Sequence, residues 1–334
     1  MWRCEACTYK NEEASFLACG MCGTERGRPL KLRRLSASPV LVKRDTSTTE
    51  MAVQDDEIPA PVKIVRGILP PALADRLLDT LLKDGEWHRG TWSVHGRTHY
   101  NSRTTRTFAL CSANDAPLEE EEEEDTTRVA APPEVREATE YVRAYVEANV
   151  QRDWRPTFAF GNRYANGNEA VAFHSDFLMA LGPRPVIAGL SLGAQRTFRL
   201  KKNDHTVTVS LPTPHNSLVV MTHDAQERWQ HSIVKCADTS VRPHPRAGLV
   251  RFSLTFRMER PEIAEKLSVK CRCDRAATLK CAKDSRMYYL CCNPASNDIR
   301  HKPCGFWKKC PWAQQEADRL IALEKMMRPP PSSS

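Results

Sequence analysis

Apolar residues recur at helical spacing in two stretches of the chain and then switch to strand spacing over a long third one. In PPALADRLLDTLLKDG, Leu73, Leu77, Leu78, Leu81 and Leu82 share one helix face, and Gly85 ends the run. A second helix is expected from about Pro133 to Asn149, with Val135, Tyr141, Val142, Tyr145 and Val146 as its apolar members. From Phe158 to Arg257 the runs TFAFGNRY, VIAGLSL, TFRLKK, HTVTVSL, SLVVM and RFSLTFRM are short, β-rich and separated by turns. Many short strands without alternating helices argue for a β-sandwich or jelly roll. A closing helix is legible in AQQEADRLIALEKMM.

Other segments have no such period. LSASPVLVKRDTSTTEMAVQDDEIPAP is polar and rich in Ser and Thr, so a flexible linker is expected over 29–61. The run Glu119 to Glu124, followed by Asp125, repels itself too strongly to fold and reads as an exposed insertion, 115–126, within a globular segment 62–260. Segments 1–28 and 265–325 are short and hold most of the cysteines.

Charge and cysteine usage sharpen this outline. The formal charge is +8, and seven Lys or Arg with no acid lie between Arg26 and Arg44. Ten basic residues face three acidic ones between Lys270 and Lys309. Basic stretches of this kind favour a polyanion partner. No run of 18 apolar residues exists, and the start MWRCEACTYK lacks the apolar core of a signal peptide, so an intracellular protein is expected. Of thirteen cysteines, four lie between Cys4 and Cys22 and seven between Cys271 and Cys310. Inside a cell, such clusters read as zinc ligands rather than disulfides.

The globular segment carries the chemistry. AFHSDF sets His174 and Asp176 two apart in an apolar, strand-like stretch. WQHSIVK supplies His231, 55 residues after Asp176, and RFSLTFR supplies Arg251 and Arg257. In a strand, residues separated by an even number point the same way, so these two arginines share a face. Two histidines and one carboxylate leave open positions on an iron, as in non-haem Fe(II) oxygenases, and an arginine can grip an acid co-substrate as a bidentate fork.

Together with NRYANG, IAGLSLGAQRTFRL and NSLVVM, these motifs make residues 62–258 resemble the AlkB family of Fe(II)- and 2-oxoglutarate-dependent dioxygenases, especially its eukaryotic nucleic-acid demethylase branch. The resemblance implies an α+β protein with a double-stranded β-helix (jelly-roll) core and flanking helices. It implies His174, Asp176 and His231 as Fe(II) ligands, and Arg251 as partner of the distal 2-oxoglutarate carboxylate. Arg257 would lie near the metal-chelating end, with Asn162 and Tyr164 as further contacts to the co-substrate. The implied reaction consumes O2 and 2-oxoglutarate and hydroxylates an N-methyl group, which then leaves as formaldehyde. His215 and His223 match no ligand position and are expected to be structural.

Two departures concern the substrate. The position four after the first histidine, often acidic in relatives that take cationic bases, is Leu178, and the usual Asn two after the first arginine is Ser253. TWSVHGRTHYNSRTTRTF fits the place of the family's nucleotide lid, which makes Arg103 and Arg106 candidates for phosphate or base contacts; a plain edge hairpin is the other reading.

At the N-terminus, Cys4, Cys7, Cys19 and Cys22 form two Cys-x-x-Cys pairs suited to structural zinc. With Trp2 and Asn11 the segment resembles the Ran-binding-protein type of zinc finger. The EEAS stretch lacks that family's RNA-reading arginines, whereas Thr8, Tyr9 and Met21 match its ubiquitin-binding NZF subclass. At the C-terminus, CRCDRAATLKCAKDSRMYYLCC and CGFWKKCPW resemble the GRF zinc finger of nucleic-acid-processing enzymes. That resemblance implies Cys271, Cys273, Cys291 and Cys304 as the second zinc's ligands, with Cys281, Cys292 and Cys310 as thiols able to take a place in the set. Arg286, Tyr288, Phe306 and Trp307 are then expected to grip single strands.

The expectation is a nuclear, monomeric demethylase of alkylated DNA or RNA that also engages ubiquitin. The alternatives are an oxygenase acting on RNA or another modified base, which Leu178 would permit, and a catalytically inactive adaptor between ubiquitin and nucleic acid.

Overall fold

In the computed structural model, residues 2–3, 10–11, 40–44, 51–53, 58–94, 97–110, 128–282, 287–292 and 304–327 are described. The elements open with β1 (Trp2–Arg3), β2 (Lys10–Asn11), β3 (Val40–Arg44), β4 (Met51–Val53), β5 (Val62–Arg66) and α1 (Pro71–Lys83). They continue with β6 (Thr91–Val94), β7 (Arg97–Tyr100), β8 (Thr104–Ala109), β9 (Arg128–Ala130) and α2 (Pro133–Asn149). The strand-rich region holds β10 (Phe158–Tyr164), β11 (Val171–His174), β12 (Ile187–Gly193), β13 (Arg196–Lys202), β14 (Val207–Thr213), β15 (Ser217–Met221), α3 (Ala225–Arg228), β16 (Trp229–Ile233) and β17 (Arg251–Arg257). The chain closes with α4 (Pro261–Leu267), β18 (Ala277–Cys281), β19 (Tyr288–Cys292), β20 (Trp307–Lys309) and α5 (Pro311–Met327).

Proline opens α1 and α2, where the missing N–H costs nothing and its fixed φ suits the first turn. Leu73, Leu77, Leu78 and Leu81 of α1 and Val135, Val142 and Val146 of α2 are fully buried. They pack on one face of a seven-stranded sheet, β5-β15-β12-β17-β10-β8-β9, whose contributions include Ala188, Leu190, Leu192, Phe252, Leu254 and Phe256. Each such side chain stabilises the fold by about 1.5–3 kcal/mol.

Strand alternation then decides the other face. Residues between those apolar ones, such as Ser191, Arg251, Ser253 and Arg257, look toward a six-stranded sheet, β11-β16-β13-β14-β3-β4. Ile187, Val219 and Met221 of the larger sheet meet Leu200, Val209, Leu211 and Trp229 of the smaller one to form the inter-sheet core. The mixed α+β, sheet-rich architecture implied by the resemblance is the one observed.

One expectation needs correcting here. Part of the 29–61 stretch is not a linker: β3 pairs with the outer edge of β14, with Val42 opposite Val209, and β4 pairs with β3. Its Val-Leu-Val run supplies β-branched residues to an otherwise open edge. The four N-terminal cysteines, Thr8, Tyr9, Met21, Arg286 and the glutamate run lie outside the described residues.

The C-terminal segment is a three-stranded sheet, β18-β19-β20, flanked by α4 and α5. Its core of Ile263, Ala277, Leu279, Tyr288, Leu290, Cys310, Ala313 and Ala317 also contains Leu178, which comes from the loop after β11.

Candidate metal centre

The two histidines face each other across a strand pair: His174 ends β11 directly opposite His231 of β16. Their rings stand 4.2 Å apart, and Asp176 follows where the chain leaves the sheet, its Oδ1 lying 3.8 Å from each Nε2. All three ligand atoms fall within 4.8 Å of one another, close enough to hold one metal ion.

Hydrogen bonds and a ring stack fix the ligands. The carbonyl of Ala172, 2.8 Å from His174 Nδ1, sets that nitrogen as the donor and leaves Nε2 for a metal. Phe198 stacks on His231 at 5.6 Å. Arg257 donates to Asp176 Oδ2 at 2.7 Å, which leaves Oδ1 facing the histidines. The Asp176 N–H donates to Gln226 Oε1 at 2.7 Å, and the Ser175 hydroxyl donates to the Trp229 carbonyl at 2.9 Å.

Burial decides the protonation states. It pushes the His231 imidazole down to about 3, with His174 beside it adding to the fall. His174 is also lowered, chiefly by burial and against the pull of Asp176. Burial alone would raise the Asp176 carboxyl; Arg257 and then the histidines outweigh it and hold it below the usual range. The site therefore presents two neutral imidazoles and one carboxylate near neutral pH, which is the protonation a divalent cation needs.

The same inter-sheet cavity is lined by Asn162, Tyr164, Ser191, Arg251, Ser253 and Arg257. Arg251 is 2% exposed, and its Nη2 donates to Ser191 Oγ at 2.9 Å. Its Nε and Nη1 have no hydrogen-bond partner among the described residues. Burial lowers Arg251 to about 10, with Tyr164 opposing the fall, so it stays charged at neutral pH. A buried guanidinium with unpaired donors is costly unless a carboxylate completes it. The donor set fits Fe(II), and the unpaired fork fits the distal end of 2-oxoglutarate.

Other expected positions fare unevenly. Arg103 lines the cavity and donates to Asn162 Oδ1. Arg106 is spoken for: Asp84 and Glu86 both pair with it, so its charge is neutralised rather than offered to a phosphate. The stretch expected as a lid contains a two-stranded hairpin, β6–β7, whose last residue, Tyr100, is exposed. His215 accepts the Gly193 N–H, and His223 pairs with Glu324, both away from the cavity. Ser191 and Gln226 were not anticipated. Ser191 could have been found from its alternation in GLSLG, whereas nothing in the sequence marks Gln226.

A second cluster gathers the thiols of Cys271, Cys273, Cys292 and Cys304 within 4.8 Å, a set suited to closed tetrahedral zinc. Cys292 takes the place expected of Cys291. The two are neighbours on β19, where successive side chains point to opposite faces, and Cys291 pairs with Trp307 on the outer one. Tyr288 is likewise corrected: it is 4% exposed, on the inner face, and cannot stack on a strand. Phe306 is half-buried, and Trp307 is half exposed and stacks on Tyr289 at 5.7 Å.

Comparison with known proteins agrees with the geometry. The 2OG-Fe(II) oxygenase superfamily profile matches residues 61–257. The chain belongs to that superfamily. It is 36% identical over 110 residues to human "Alpha-ketoglutarate-dependent dioxygenase alkB homolog 3", covering 30% of this chain and 36% of that one. It is 28% identical over 173 residues to human "DNA oxidative demethylase ALKBH2", covering 48% and 62%. The Arabidopsis thaliana protein of the same name is 32% identical over 120 residues, covering 29% and 36%. The chain thus spans little more than a third of the length of the first of these relatives. Among solved structures, OsALKBH1 aligns with a TM-score of 0.39 and 13% identity, covering 60% of this chain and 99% of that one.

Proposed function

We propose that this oxygenase oxidatively demethylates N-alkylated bases in DNA or RNA. One observation carries the reading: a cavity holding a two-histidine, one-carboxylate set also holds a buried, charged arginine with unpaired donors. The similarity to relatives named as DNA oxidative demethylases supports the choice of substrate.

With Fe(II), 2-oxoglutarate and O2 bound, the site would convert 2-oxoglutarate to succinate and CO2 and hydroxylate an N-methyl carbon, whose hydroxymethyl product sheds formaldehyde. The chain's own residues supply position. His174, Asp176 and His231 would hold the metal. Arg251 would receive the distal carboxylate, with Asn162 and Tyr164 beside it. Arg257 keeps Asp176 ionised and turned toward the histidines, and Phe198 covers His231 from the smaller sheet. A base in a duplex must be turned out to reach the cavity, at a cost of a few kcal/mol that is least for single strands.

The accessory segments extend the reading. Residues 1–28, as an NZF-type zinc finger, would engage ubiquitin through Thr8, Tyr9 and Met21. The C-terminal module, as a GRF-type finger, would hold single strands with the Trp307–Tyr289 stack and Lys280 and Lys309, which are in register with Tyr289. A ring pair with flanking cations suits sequence-tolerant stacking. Work on damaged chromosomal strands would place the protein in the nucleus. Leu178 favours a second substrate range, since its burial in the C-terminal core leaves no carboxylate there for a cationic base.

The test is anaerobic loading with Fe(II), then assay on single-stranded DNA and RNA carrying 1-methyladenine, 3-methylcytosine or a bulkier adduct. Base mass and succinate are read together. Repair that disappears in Asp176→Ala is expected. Iron binding with no turnover on any oligonucleotide would favour the adaptor.

A further inference from the structure

The C-terminal module is built into the loop that carries the carboxylate ligand. That loop leaves β11 at His174 and rejoins the sheets near Val186. Leu178 is 5% exposed and belongs to the module's core, with Ile263, Leu279 and Leu290 among its members. Met179 packs there too, and its sulfur accepts the Leu279 N–H at 3.1 Å. At the loop's end Gly182, with φ +74°, turns the chain so tightly against Ile263 that an added Cβ would lie 2.3 Å from that side chain.

A polar contact runs alongside. The buried Tyr288 hydroxyl donates to Glu227 Oε1 at 2.9 Å, and the Arg184 N–H donates to the same oxygen at 2.6 Å. Burial pushes the Glu227 carboxyl up to about 6, with both donors pulling it back. Glu227 adjoins Gln226, whose side chain holds the Asp176 N–H. Salt bridges Arg184–Glu324 and Arg260–Glu316 tie α5 to the same region.

These contacts share one strand face. Tyr288, Leu290 and Cys292 alternate on the inner side of β19, spanning about 13 Å at the usual rise per residue. The first touches Glu227, the second belongs to the core that also holds Leu178, and the third belongs to the thiol cluster.

We infer that the C-terminal thiol cluster, when it holds zinc, is a positioning element of the iron centre: through the inner face of β19 it fixes the Ser175–Gly182 loop and so keeps Asp176 in register with His174 and His231. The inference rests on the oxygenase reading of that site. It makes Leu178, the departure from the usual acidic residue, an anchor for the metal-binding loop, and makes Tyr288 and Glu227 its second attachment.

The test reads Fe(II) affinity without turnover, using the full chain. Under anaerobic conditions with 2-oxoglutarate, Fe(II) is titrated into zinc-loaded protein, and the visible charge-transfer band of the chelate is followed. His174→Ala shows which signal belongs to the site, so a failure of the oxygenase reading appears as a parent protein indistinguishable from this variant. Leu178→Ala and Tyr288→Phe, neither of which removes a thiol of the cluster, are each expected to weaken Fe(II) binding about 10-fold or more, the usual effect of losing a group that orients a metal ligand. Cys273→Ser should do the same with zinc lost, while Cys291→Ser, on the outer face, leaves the titration unchanged. Fe(II) binding within twofold of the parent in both Leu178→Ala and Tyr288→Phe, with zinc content and unfolding midpoint retained, overturns the inference.

Discussion

The two metal-capable clusters are built in opposite ways. His174 and His231 sit on paired strands inside a sandwich whose core would fold around them without a metal, and the third ligand, Asp176, comes from a loop. The cysteine cluster joins a tight turn, one strand and the segment before β20 in a module whose core of nine buried residues is far smaller than the one beneath the larger sheet. In the first case the fold positions the ligands; in the second a metal would position the fold. Three ligands in a cavity leave room for a reacting molecule, whereas four thiols close their ion off. The contrast is between a centre that can work and a centre that can hold.

Breaking the first centre should have the largest effect. His231→Ala is expected to abolish succinate production while leaving secondary structure by circular dichroism intact, because the inter-sheet core does not depend on it. Next comes Arg251→Lys, which keeps a charge but loses the fork. A lost charge-assisted hydrogen bond costs about 1.5–3 kcal/mol, so the KM for 2-oxoglutarate should rise about 10- to 100-fold with kcat changing less.

Stability sharpens the contrast. Leu77→Ala under the larger sheet should cost about 2–5 kcal/mol in urea unfolding, since Leu77 is fully buried between α1 and the sheet. Zinc removal should instead lower the unfolding midpoint of the C-terminal module ahead of that of the sandwich, visible as a second transition.

The smallest effect expected is one of pH. The Glu227 carboxyl rises from 4.5 to about 6 on folding, so the folded state binds the extra proton. Stability from this group is therefore present below pH 4.5 and falls as pH rises toward about 6, by on the order of 2 kcal/mol. Glu227→Gln keeps an acceptor for Tyr288 and Arg184 and should flatten that slope; an unchanged slope in unfolding midpoints across this window would contradict the assignment.

Much of this was legible in the chain. Helix α2 was expected at its observed bounds, because proline, periodicity and the loss of apolar spacing all mark them. Period-two alternation in RFSLTFR was enough to place Arg251 and Arg257 on one face. Alternation also decides which of two adjacent thiols faces the cluster. Cys291 and Cys292 are adjacent, and a one-residue difference in register exchanges the faces of a strand, which also moved Tyr288 from surface to core. Gln226 and the Tyr288–Glu227 bond join residues 50 and 61 positions apart through tertiary packing, and no local pattern signals them. Leu178 stood out only as a missing acid; its partners lie some 85 to 140 residues downstream in a separate core.

The pairing of β3 with β14 also sets a leash. Residues 29–39 are the whole length of chain between the first cysteine-rich segment and the edge of the smaller sheet. Eleven residues reach at most about 40 Å. A partner held by residues 1–28 would thereby be confined to a small volume around the sandwich, where two weak grips would act as one firm one.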